Sequence, residues 1–308
     1  MKILVTGGSG MVGSAFKNVE SEHEIFLASR NDANLLEKHE FLELVKRLKP
    51  DSVIHLAAKV GGVKGNTDFV ADFYSDNVRI NCNVLDVCHQ LNIDKVVSLL
   101  STCVYPDDVS YPLTEDQIHN GPPHKSNFGY AYAKRMLDVH SRALRQQHGR
   151  NYVCAVPNNL YGLNDNFDLE NGHVIPAIIR KIWEAKNTGK PATFWGDGSP
   201  LREFTFSDDI ASALLFVLEN YSEQEPINIG STEESSISSV VQIVCELLDY
   251  KGSVAWDTSM PSGQYKKPSD NSRFASLGWR KDSYTSLRDG LEKTIEWFLH
   301  SYPNVRGI

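Results

Sequence analysis

The chain has 308 residues, of which 41% are hydrophobic and 23% are charged, and this composition excludes a disordered, collagen-like or mainly coiled-coil protein. Its 31 basic and 39 acidic residues give a formal net charge of -8, which argues against nucleic acid or an anionic membrane as the main partner. A small anionic ligand stays possible, because its site needs only a few local cations.

Membrane and metal signals are absent from the sequence. No run of residues approaches the ~20 apolar residues that a membrane helix needs, and the apolar run at the N-terminus is too short for a signal peptide. The five cysteines form no CxxC pair and have no histidine at zinc-site spacing, so we expect free thiols and no metal site. These features predict a reduced, cytoplasmic protein.

Apolar runs alternate with helix-compatible stretches over the first half of the chain. We predict strands at 2–6, 24–28, 53–58, 95–100 and 152–156, and helices at 14–19, 35–48, 74–91 and 130–145. In the helix at 74–91, Val78, Cys82, Leu85 and Val87 lie near helical spacing. The alternation predicts an α/β fold with a Rossmann-type, doubly wound parallel sheet.

The pattern becomes less regular after about residue 165. Helices are expected at 174–187, 210–218, 236–248 and 286–300, with strands at 192–195 and 227–230. No internal repeat or linker is visible, so we expect two lobes between which the chain crosses more than once. The predicted cofactor domain is 1–165 with returning segments near 203–230 and 264–276, and the smaller α/β substrate-binding lobe is 166–202, 231–263 and 277–308.

A glycine-rich turn joins the first predicted strand to the first helix. Gly7, Gly8, Gly10 and Gly13 satisfy both GxxGxxG and GxGxxG. Glycine permits the tight turn and the close approach of backbone to a pyrophosphate, and the start of the helix offers free N–H groups. The context predicts a dinucleotide-binding loop rather than a plain glycine turn.

The end of the second strand is where such a cofactor's 2′ position is recognised. It carries Arg30 and no acidic residue before Asp32. Arginine can pair with a 2′-phosphate through its planar fork, which favours NADPH over NADH. The alternative is a solvated surface arginine.

Tyr130 and Lys134 form a YxxxK pair on one face of a predicted helix. A lysine beside a phenol favours the phenolate, so we expect Lys134 to lower the pKa of Tyr130. Ser101 follows the strand at 95–100, at the sheet edge where ligands bind. Together they predict carbonyl chemistry, in which Tyr130 exchanges a proton with a carbonyl oxygen while hydride moves at carbon.

With these residues in place, the chain resembles the extended short-chain dehydrogenases/reductases, in particular the GDP-L-fucose synthase family, from residue 3 to about residue 300. The motifs that carry the resemblance are Ser101-Thr102-Cys103-Val104-Tyr105-Pro106, Asn159-Leu160-Tyr161-Gly162, Asp165-Asn166-Phe167, Gly172-His173-Val174-Ile175-Pro176, Trp195-Gly196 and Arg202-Glu203-Phe204. The resemblance implies a bifunctional, NADP-dependent epimerase and oxidoreductase. Such an enzyme converts GDP-4-keto-6-deoxy-D-mannose to GDP-L-fucose by 3,5-epimerisation and then 4-keto reduction.

The same resemblance implies roles in the chemistry. Cys103 would be the base and His173 the acid at C3 and C5, and positive charge near a thiol can bring its pKa toward neutrality. Ser101 and Tyr130 would hydrogen-bond O4 of the enolate, with Lys134 beside them. The implied NADP-binding residues are Gly7, Gly8, Ser9, Gly10, Met11, Val12, Gly13, Arg30, Leu56, Ala57, Ala58, Tyr130, Lys134, Pro157, Asn158, Asn159, Leu160 and His173.

The resemblance also implies a GDP-sugar site and a homodimer formed through the helices at about 74–91 and 130–145. The implied substrate-binding residues are Ser101, Cys103, Asn159, Lys181, Trp195, Arg202 and Lys267. Core packing is the alternative for Trp195, and a solvated pair is the alternative for Lys266 and Lys267. Asn158 and Asn159 would contact the sugar or stabilise their loop.

Two other functions stay open at this point. One is a different sugar-nucleotide reductase, 4-epimerase or 4,6-dehydratase of the same fold, although Thr102-Cys103-Val104 offers no acidic pair for dehydration. The other is a non-catalytic NADPH-binding regulator, against which the intact Ser101, Tyr130 and Lys134 argue. The chain departs from its relatives at Ser9, Asn158 and Leu163-Asn164, and none of these positions is a proposed catalytic group.

Overall fold

The structure, a computed structural model, describes residues 1–260 and 265–308, and within them six strands form a central parallel sheet. The strands in chain order are β1 (Lys2–Thr6), β2 (Glu24–Ala28), β3 (Ser52–His55), β4 (Lys95–Leu99), β5 (Asn151–Pro157), β6 (Asn159–Tyr161), β7 (Ala192–Trp195), β8 (Leu201–Phe206), β9 (Ile227–Ile229), β10 (Glu234–Ser236) and β11 (Val254–Asp257). The central sheet has the order β2-β1-β3-β4-β5-β9. The predicted Rossmann-type α/β fold is confirmed.

Helices cover both faces of this sheet and build the rest of the molecule. They are α1 (Met11–Ala15), α2 (Lys38–Leu48), α3 (Val63–Asp68), α4 (Val70–Gln90), α5 (Phe128–His148), α6 (Val174–Thr188), α7 (Ser207–Asn220), α8 (Ile237–Leu247), α9 (Ser272–Ser276) and α10 (Leu287–Ser301). Among the helices of the described residues, none is long and apolar enough to cross a bilayer.

Successive side chains of the strands point to opposite faces of the sheet and pack into two hydrophobic cores, one on each face. Leu4, Val53 and Val96 pack on the side of α2, α4 and α5. The neighbouring residues Val5 and Ile54 pack on the side of α1, α7 and α9. Strands that are buried on both faces have continuous apolar sequences, and this explains why β1, β3 and β4 could be predicted from sequence.

A third core lies away from the central sheet. It joins α6, α8 and α10 to the small sheet β10-β8-β6 and the pair β11-β7. The chain leaves the central sheet after β5 and returns to it at β9, so it crosses between the two regions. The predicted boundary between segments 231–263 and 264–276 falls at residues 261–264, outside the described residues.

The first helix differs from its prediction. Helix α1 begins at Met11, directly after Gly10, and not at residue 14. Beyond Ala15 the amides of Lys17 and Asn18 bond to carbonyls three residues back, so the chain turns away. Strand β3 also ends at His55, which leaves Leu56 to Ala58 as a loop at the carboxyl edge of the sheet.

Helices α4 and α5 pack against each other along their length. On α4, Leu85 and Val87 are buried as core residues, whereas Val78 and Cys82 are only partly buried. The four residues therefore do not share one face of α4. Leu85 and Val87 lie in the core, whereas Val78 and Cys82 lie on a partly exposed face.

Candidate active site

The candidate residues gather at the carboxyl edge of the central sheet. Gly7 follows β1, Leu56 follows β3, Ser101 follows β4 and Asn158 follows β5. In an open parallel sheet this edge is where ligands bind, beside the point at which strand order reverses. Here the reversal lies between β1 and β3.

The glycine turn after β1 fits a dinucleotide pyrophosphate. Gly7 has φ of +73°, a conformation that favours glycine, and a Cβ on Gly13 would lie 2.2 Å from the Gly7 carbonyl oxygen. A Cβ on Gly8 would lie 2.6 Å from the carbonyl carbon of Leu27. The N–H groups of the first helical turn, at Met11 and beyond, have no acceptor within the helix and line this cradle.

In the segment after β2, the side chains of Arg30 and Asp32 have different surroundings. The backbone N–H and hydroxyl of Ser29 donate to the Asp32 carboxylate at 2.8 and 2.7 Å, and these bonds hold the pKa of Asp32 below its usual range. Arg30 is exposed, and no side chain within 1–260 or 265–308 forms an ion pair with it. The Asp32 carboxylate is thus hydrogen-bonded to Ser29, while the Arg30 guanidinium is available to a ligand.

A buried polar chain supports the cofactor side of the site, and the sequence did not predict it. Thr6 Oγ1 lies 2.8 Å from His55 Nδ1, and His55 Nε2 lies 3.1 Å from Asn81 Oδ1. Asn81 Nδ2 in turn donates to the carbonyl of Ala133, next to Lys134. Burial lowers the pKa of His55 to about 3, so this imidazole is neutral and joins β1, β3, α4 and α5.

Ser101 and Cys103 lie in a tight turn directly after β4. Ser101 begins this turn, and its Oγ accepts a hydrogen bond from Cys103 N at 3.4 Å. The side chain of Lys267 reaches in from the other end of the sequence and donates to the Thr102 carbonyl at 2.9 Å. A thiol and a hydroxyl therefore lie within four residues of the end of β4, and the Lys267 ammonium lies beside them.

The pKa of Cys103 differs from the expectation that nearby cations bring it toward neutrality. Burial raises it above the ordinary thiol value, and the Ser101 hydrogen bond and the charges of Lys267, Lys134 and Arg135 offset only part of that rise. The cations are present as expected, but desolvation outweighs them.

Tyr130 and Lys134 lie one helical turn apart on α5, and both are buried. Lys134 Nζ donates to the Leu99 carbonyl at 2.7 Å and lies 5.9 Å from the centre of the Tyr130 ring. The prediction of a lowered Tyr130 pKa is wrong for this structure, because burial raises it and a charged Cys103 would raise it further. Burial also lowers the pKa of Lys134 to about 8.

His173 directly precedes α6, at the N-terminal end of that helix. Its side chain is 47% exposed, and its Nδ1 lies 3.7 Å from Oδ1 of the buried Asp165. Asp165 raises the pKa of His173 above the ordinary imidazole value, against the opposing effects of burial and Arg306. The sequence analysis noted Asp165 only within a motif, since nothing local signals its contact with His173.

Trp195 and Lys181 form an exposed platform at the end of β7. The Trp195 side chain is 63% exposed, so the alternative of core packing is wrong. Lys181 Nζ lies 5.9 Å from the centre of the indole ring and donates to the Thr193 carbonyl. An exposed aromatic face beside an ammonium suits stacking with a flat base.

Arg202 and Lys267 are carried by neighbouring segments. Arg202 lies on β8, where partial burial lowers its pKa. The next residue, Glu203, is buried and accepts from Ser269 N at 3.0 Å and Ser269 Oγ at 2.6 Å, which fixes the loop that carries Lys267. Lys266 is exposed, whereas Lys267 points inward to Thr102, so a solvated pair does not describe them.

Asn158 and Asn159 direct their side chains into the protein. Asn158 accepts from Thr205 Oγ1 at 2.7 Å and donates to the Ser231 carbonyl, and Asn159 donates to the Glu203 carbonyl at 3.0 Å. Of the two expected roles, these bonds favour stabilisation of the loop. Pro157 is the last residue of β5, and Leu160 lies on β6.

Comparisons with known proteins agree with this geometry. Residues 3–230 match the NAD dependent epimerase/dehydratase family. A GDP-L-fucose synthase of Dictyostelium discoideum is 39% identical over 99% of this chain and 97% of that protein, and one of Sinorhizobium fredii is 40% identical over 97% and 95%. A crystal structure of a GDP-L-fucose synthetase from Naegleria fowleri bound to NADP has a TM-score of 0.93 at 38% identity, covering 99% of this chain and 94% of that one.

The matches extend over nearly the whole chain and over both the central sheet and the third core. The glycine cradle, the Ser101–Tyr130–Lys134 group and the His173 loop all lie within the matched residues. The chain therefore belongs to the NAD dependent epimerase/dehydratase family and, within it, to the group of the GDP-L-fucose synthases.

Proposed function

We propose that this chain converts GDP-4-keto-6-deoxy-D-mannose to GDP-L-fucose, by epimerisation at C3 and C5 followed by reduction at C4. The observation that supports the proposal is the presence of two sets of groups in one chain. Cys103 and His173 supply a base and an acid from different elements, and Ser101, Tyr130 and Lys134 supply a carbonyl-reduction group. A simple reductase or 4-epimerase has no use for the first pair.

The epimerisation needs a proton removed from one face of the sugar and returned to the other. The Cys103 thiolate takes the C3 proton, and the electrons of the C–H bond move into an enolate with its negative charge on O4. The His173 imidazolium then protonates C3 from the opposite face and restores the ketone. Solvent afterwards removes the thiol proton and reprotonates His173, and the same cycle inverts C5.

The negative charge on O4 is met by Ser101 and Tyr130. Their hydroxyls donate to O4 of each enolate, in the manner of an oxyanion hole. Tyr130 suits this role because burial raises its pKa and keeps it a phenol, which can then give its proton to O4 during reduction. Lys134, buried behind it with its ammonium fixed on Leu99, supplies positive charge for the phenolate that forms.

The cofactor is NADP, and bound NADPH supplies the hydride that reduces C4. The glycine cradle from Gly7 to Gly13 would hold its pyrophosphate, and Arg30 would pair with the 2′-phosphate. Leu56, Ala57 and Ala58 would line the nicotinamide side, since the amides of Leu56 and Ala57 are fixed on Thr6 Oγ1.

The GDP moiety would lie between the third core and the central sheet. Trp195 and Lys181 offer an aromatic face and a cation for the base, and Arg202 offers a planar fork for the diphosphate. Lys267 would add charge close to the sugar, since it already lies against the Thr102 carbonyl.

The chain is organised into one part for the cofactor and another for the sugar nucleotide. We propose a cofactor domain of 1–165 with returning segments near 203–230 and 264–276, and a sugar-nucleotide lobe from the remaining segments. The two sheet-facing cores and the separate third core support this division. The free thiols, including Cys103, suit the reducing cytoplasm.

We further propose a homodimer formed through α4 and α5. Phe128 and Tyr132 are exposed and pack edge to face on α5, and Val139 is 56% exposed further along that helix. On α4, Tyr74 is exposed beside the partly buried Val78. Val139→Asp should shift the protein from dimer to monomer in analytical ultracentrifugation. A mass that stays monomeric in the wild type would contradict the dimer.

The decisive experiment is product analysis by NMR in deuterated water with GDP-4-keto-6-deoxy-D-mannose and NADPH. We expect GDP-L-fucose with deuterium at C3 and C5 and one NADPH consumed per product. A sample without enzyme controls for spontaneous exchange. A reduced sugar with unchanged C3 and C5 would indicate a simple reductase, and NADPH binding without oxidation would indicate a regulator.

A further inference from the structure

A buried carboxylate lies behind His173. Asp165 belongs to the segment between β6 and α6 and is 3% exposed. Its Oδ1 accepts from Asn166 N at 2.7 Å and lies 3.7 Å from His173 Nδ1. Its Oδ2 is buried without a hydrogen-bond partner in the described part of the chain. Buried polar atoms are normally paired, so this carboxylate has spare acceptor capacity next to an imidazole.

The surroundings of His173 would otherwise disfavour its charged form. The imidazole lies at the N-terminus of the 15-residue helix α6, where the positive end of the helix dipole opposes a cation. Arg306, on the C-terminal segment, opposes it as well, and Asp165 is the acidic group that faces the ring. The pKa of His173 is nevertheless raised, so the contribution of Asp165 outweighs the opposing ones.

We propose that Asp165 is a positioning residue for the epimerisation: its carboxylate holds the Nδ1–H of His173 and leaves Nε2–H free to face the sugar as the proton donor. The proposal rests on the proposed function, in which His173 is the acid. The only proton that moves in this step is the one on Nε2. A rotation of the half-exposed imidazole would shorten the 3.7 Å separation to a hydrogen bond.

The first test measures the imidazole directly. In NADP-loaded protein labelled with carbon-13 at the histidine Cε1 atoms, the His173 signal is assigned by its loss in His173→Gln and then titrated. Asp165→Asn keeps the size and the acceptor for Asn166 N but removes the charge, so the His173 midpoint should fall by about one pH unit. An unchanged midpoint would overturn the proposal.

A matched control separates the charge from the loop. Asp168 lies on the same loop, and its carboxylate accepts from the Glu170 and Asn171 amides at 2.8 and 2.6 Å but has no contact with His173. Asp168→Asn should therefore leave the His173 midpoint in place. An equal fall in Asp168→Asn would show that loop disorder, and not the carboxylate of Asp165, moves the titration.

The second test follows deuterium exchange into C3 and C5 against pH. The alkaline limb, where the acid loses its proton, should move to lower pH in Asp165→Asn and return most of the way in Asp165→Glu. If Asp165→Asn does not fold, a wild-type His173 midpoint below that of an ordinary imidazole would still overturn the proposal. If the wild type makes no GDP-L-fucose, the proposed function fails, while the titration still decides whether Asp165 controls His173.

Discussion

Lys267 Nζ donates a hydrogen bond to the carbonyl of Thr102, 2.9 Å away and 165 residues earlier in the chain. The bond brings an ammonium next to Cys103, whose pKa is raised by burial and lowered in part by this charge. A residue predicted to bind the substrate thus also lies against the turn that carries the proposed base.

Replacing Lys267 should therefore impair the base. In Lys267→Met the thiol loses its main nearby cation, so its pKa rises and the acid limb of the C3 and C5 exchange profile moves to higher pH. At saturating substrate and neutral pH we expect exchange to fall roughly tenfold for a one-unit rise. Lys266→Met is the matched control, because Lys266 is exposed. Equal losses in both variants would contradict the assignment.

Cys103→Ser should block exchange at C3 and C5 while leaving the dissociation constant of NADPH unchanged. A hydroxyl is a far weaker acid than a thiol, and so it provides almost no anion to act as the base. In the wild type, the raised pKa of Cys103 predicts that exchange increases as the pH rises through neutrality. Full exchange in Cys103→Ser, followed by NMR in deuterated water, would remove Cys103 from this role.

Tyr130→Phe should reduce NADPH oxidation by about 10²- to 10⁴-fold, because the remaining hydroxyl at O4, that of Ser101, is a weaker acid than the phenol and cannot replace it as the proton donor. NADPH binding should persist, as the ring still packs in its buried place. Tyr132→Phe is the control, since this tyrosine lies two residues along the same helix on its exposed face. Stopped-flow absorbance of NADPH measures both variants, and near-normal turnover of Tyr130→Phe would contradict the mechanism.

Arg30→Ala should weaken NADPH binding by roughly tenfold to a hundredfold, the range of one or two charge-assisted hydrogen bonds. NADH lacks the 2′-phosphate, so its dissociation constant is the internal control and should hardly change. Fluorescence titration with each nucleotide gives both constants. Equal weakening of NADPH and NADH would mean that Arg30 is the solvated surface residue of the alternative.

His55→Gln should change how stability depends on pH. In the folded protein the pKa of His55 is about 3, whereas the unfolded chain protonates it near its ordinary value of 6.5. Acidification through this window therefore lowers the free energy of unfolding of the wild type, by about 1.4 kcal/mol per pH unit from this group. The variant should lack that part of the slope in urea unfolding. The exposed His300 provides the control, since His300→Gln should retain the slope.

Local patterns predicted the central sheet well, and the reason is physical. Strand β1 coincides with its predicted limits, because residues buried on both faces form uninterrupted apolar runs. The edge strand β2 also coincides with its predicted limits, although most of its residues are only partly buried. Strands β6 and β10 have only three residues each, and β8 begins with Leu201 and Arg202 beside a polar partner strand. The two short strands have no pattern of their own, and the polar start of β8 interrupts its apolar pattern, so none of the three was predicted from the sequence.

The sequence predicted that several of the candidate residues lie together, but it did not predict their electrostatics. The motifs identified Ser101, Cys103, Tyr130 and Lys134, which the fold brings together after β4 and on α5. The pKa of Tyr130 was predicted in the wrong direction, because a helical spacing shows proximity but does not measure burial. The support of His173 by Asp165 was missed, since it depends on the path of an irregular loop.

The late return of β9 to the central sheet affects how the protein emerges from the ribosome. One edge of β5 pairs with β4, and its other edge pairs with Ile227–Ile229 of β9, which is synthesised later. A nascent chain that ends between these strands carries an unpaired, apolar strand edge, which is a template for aggregation. The glycine loop that follows β1 is synthesised more than 200 residues before β9, so the sheet beneath this loop is completed late.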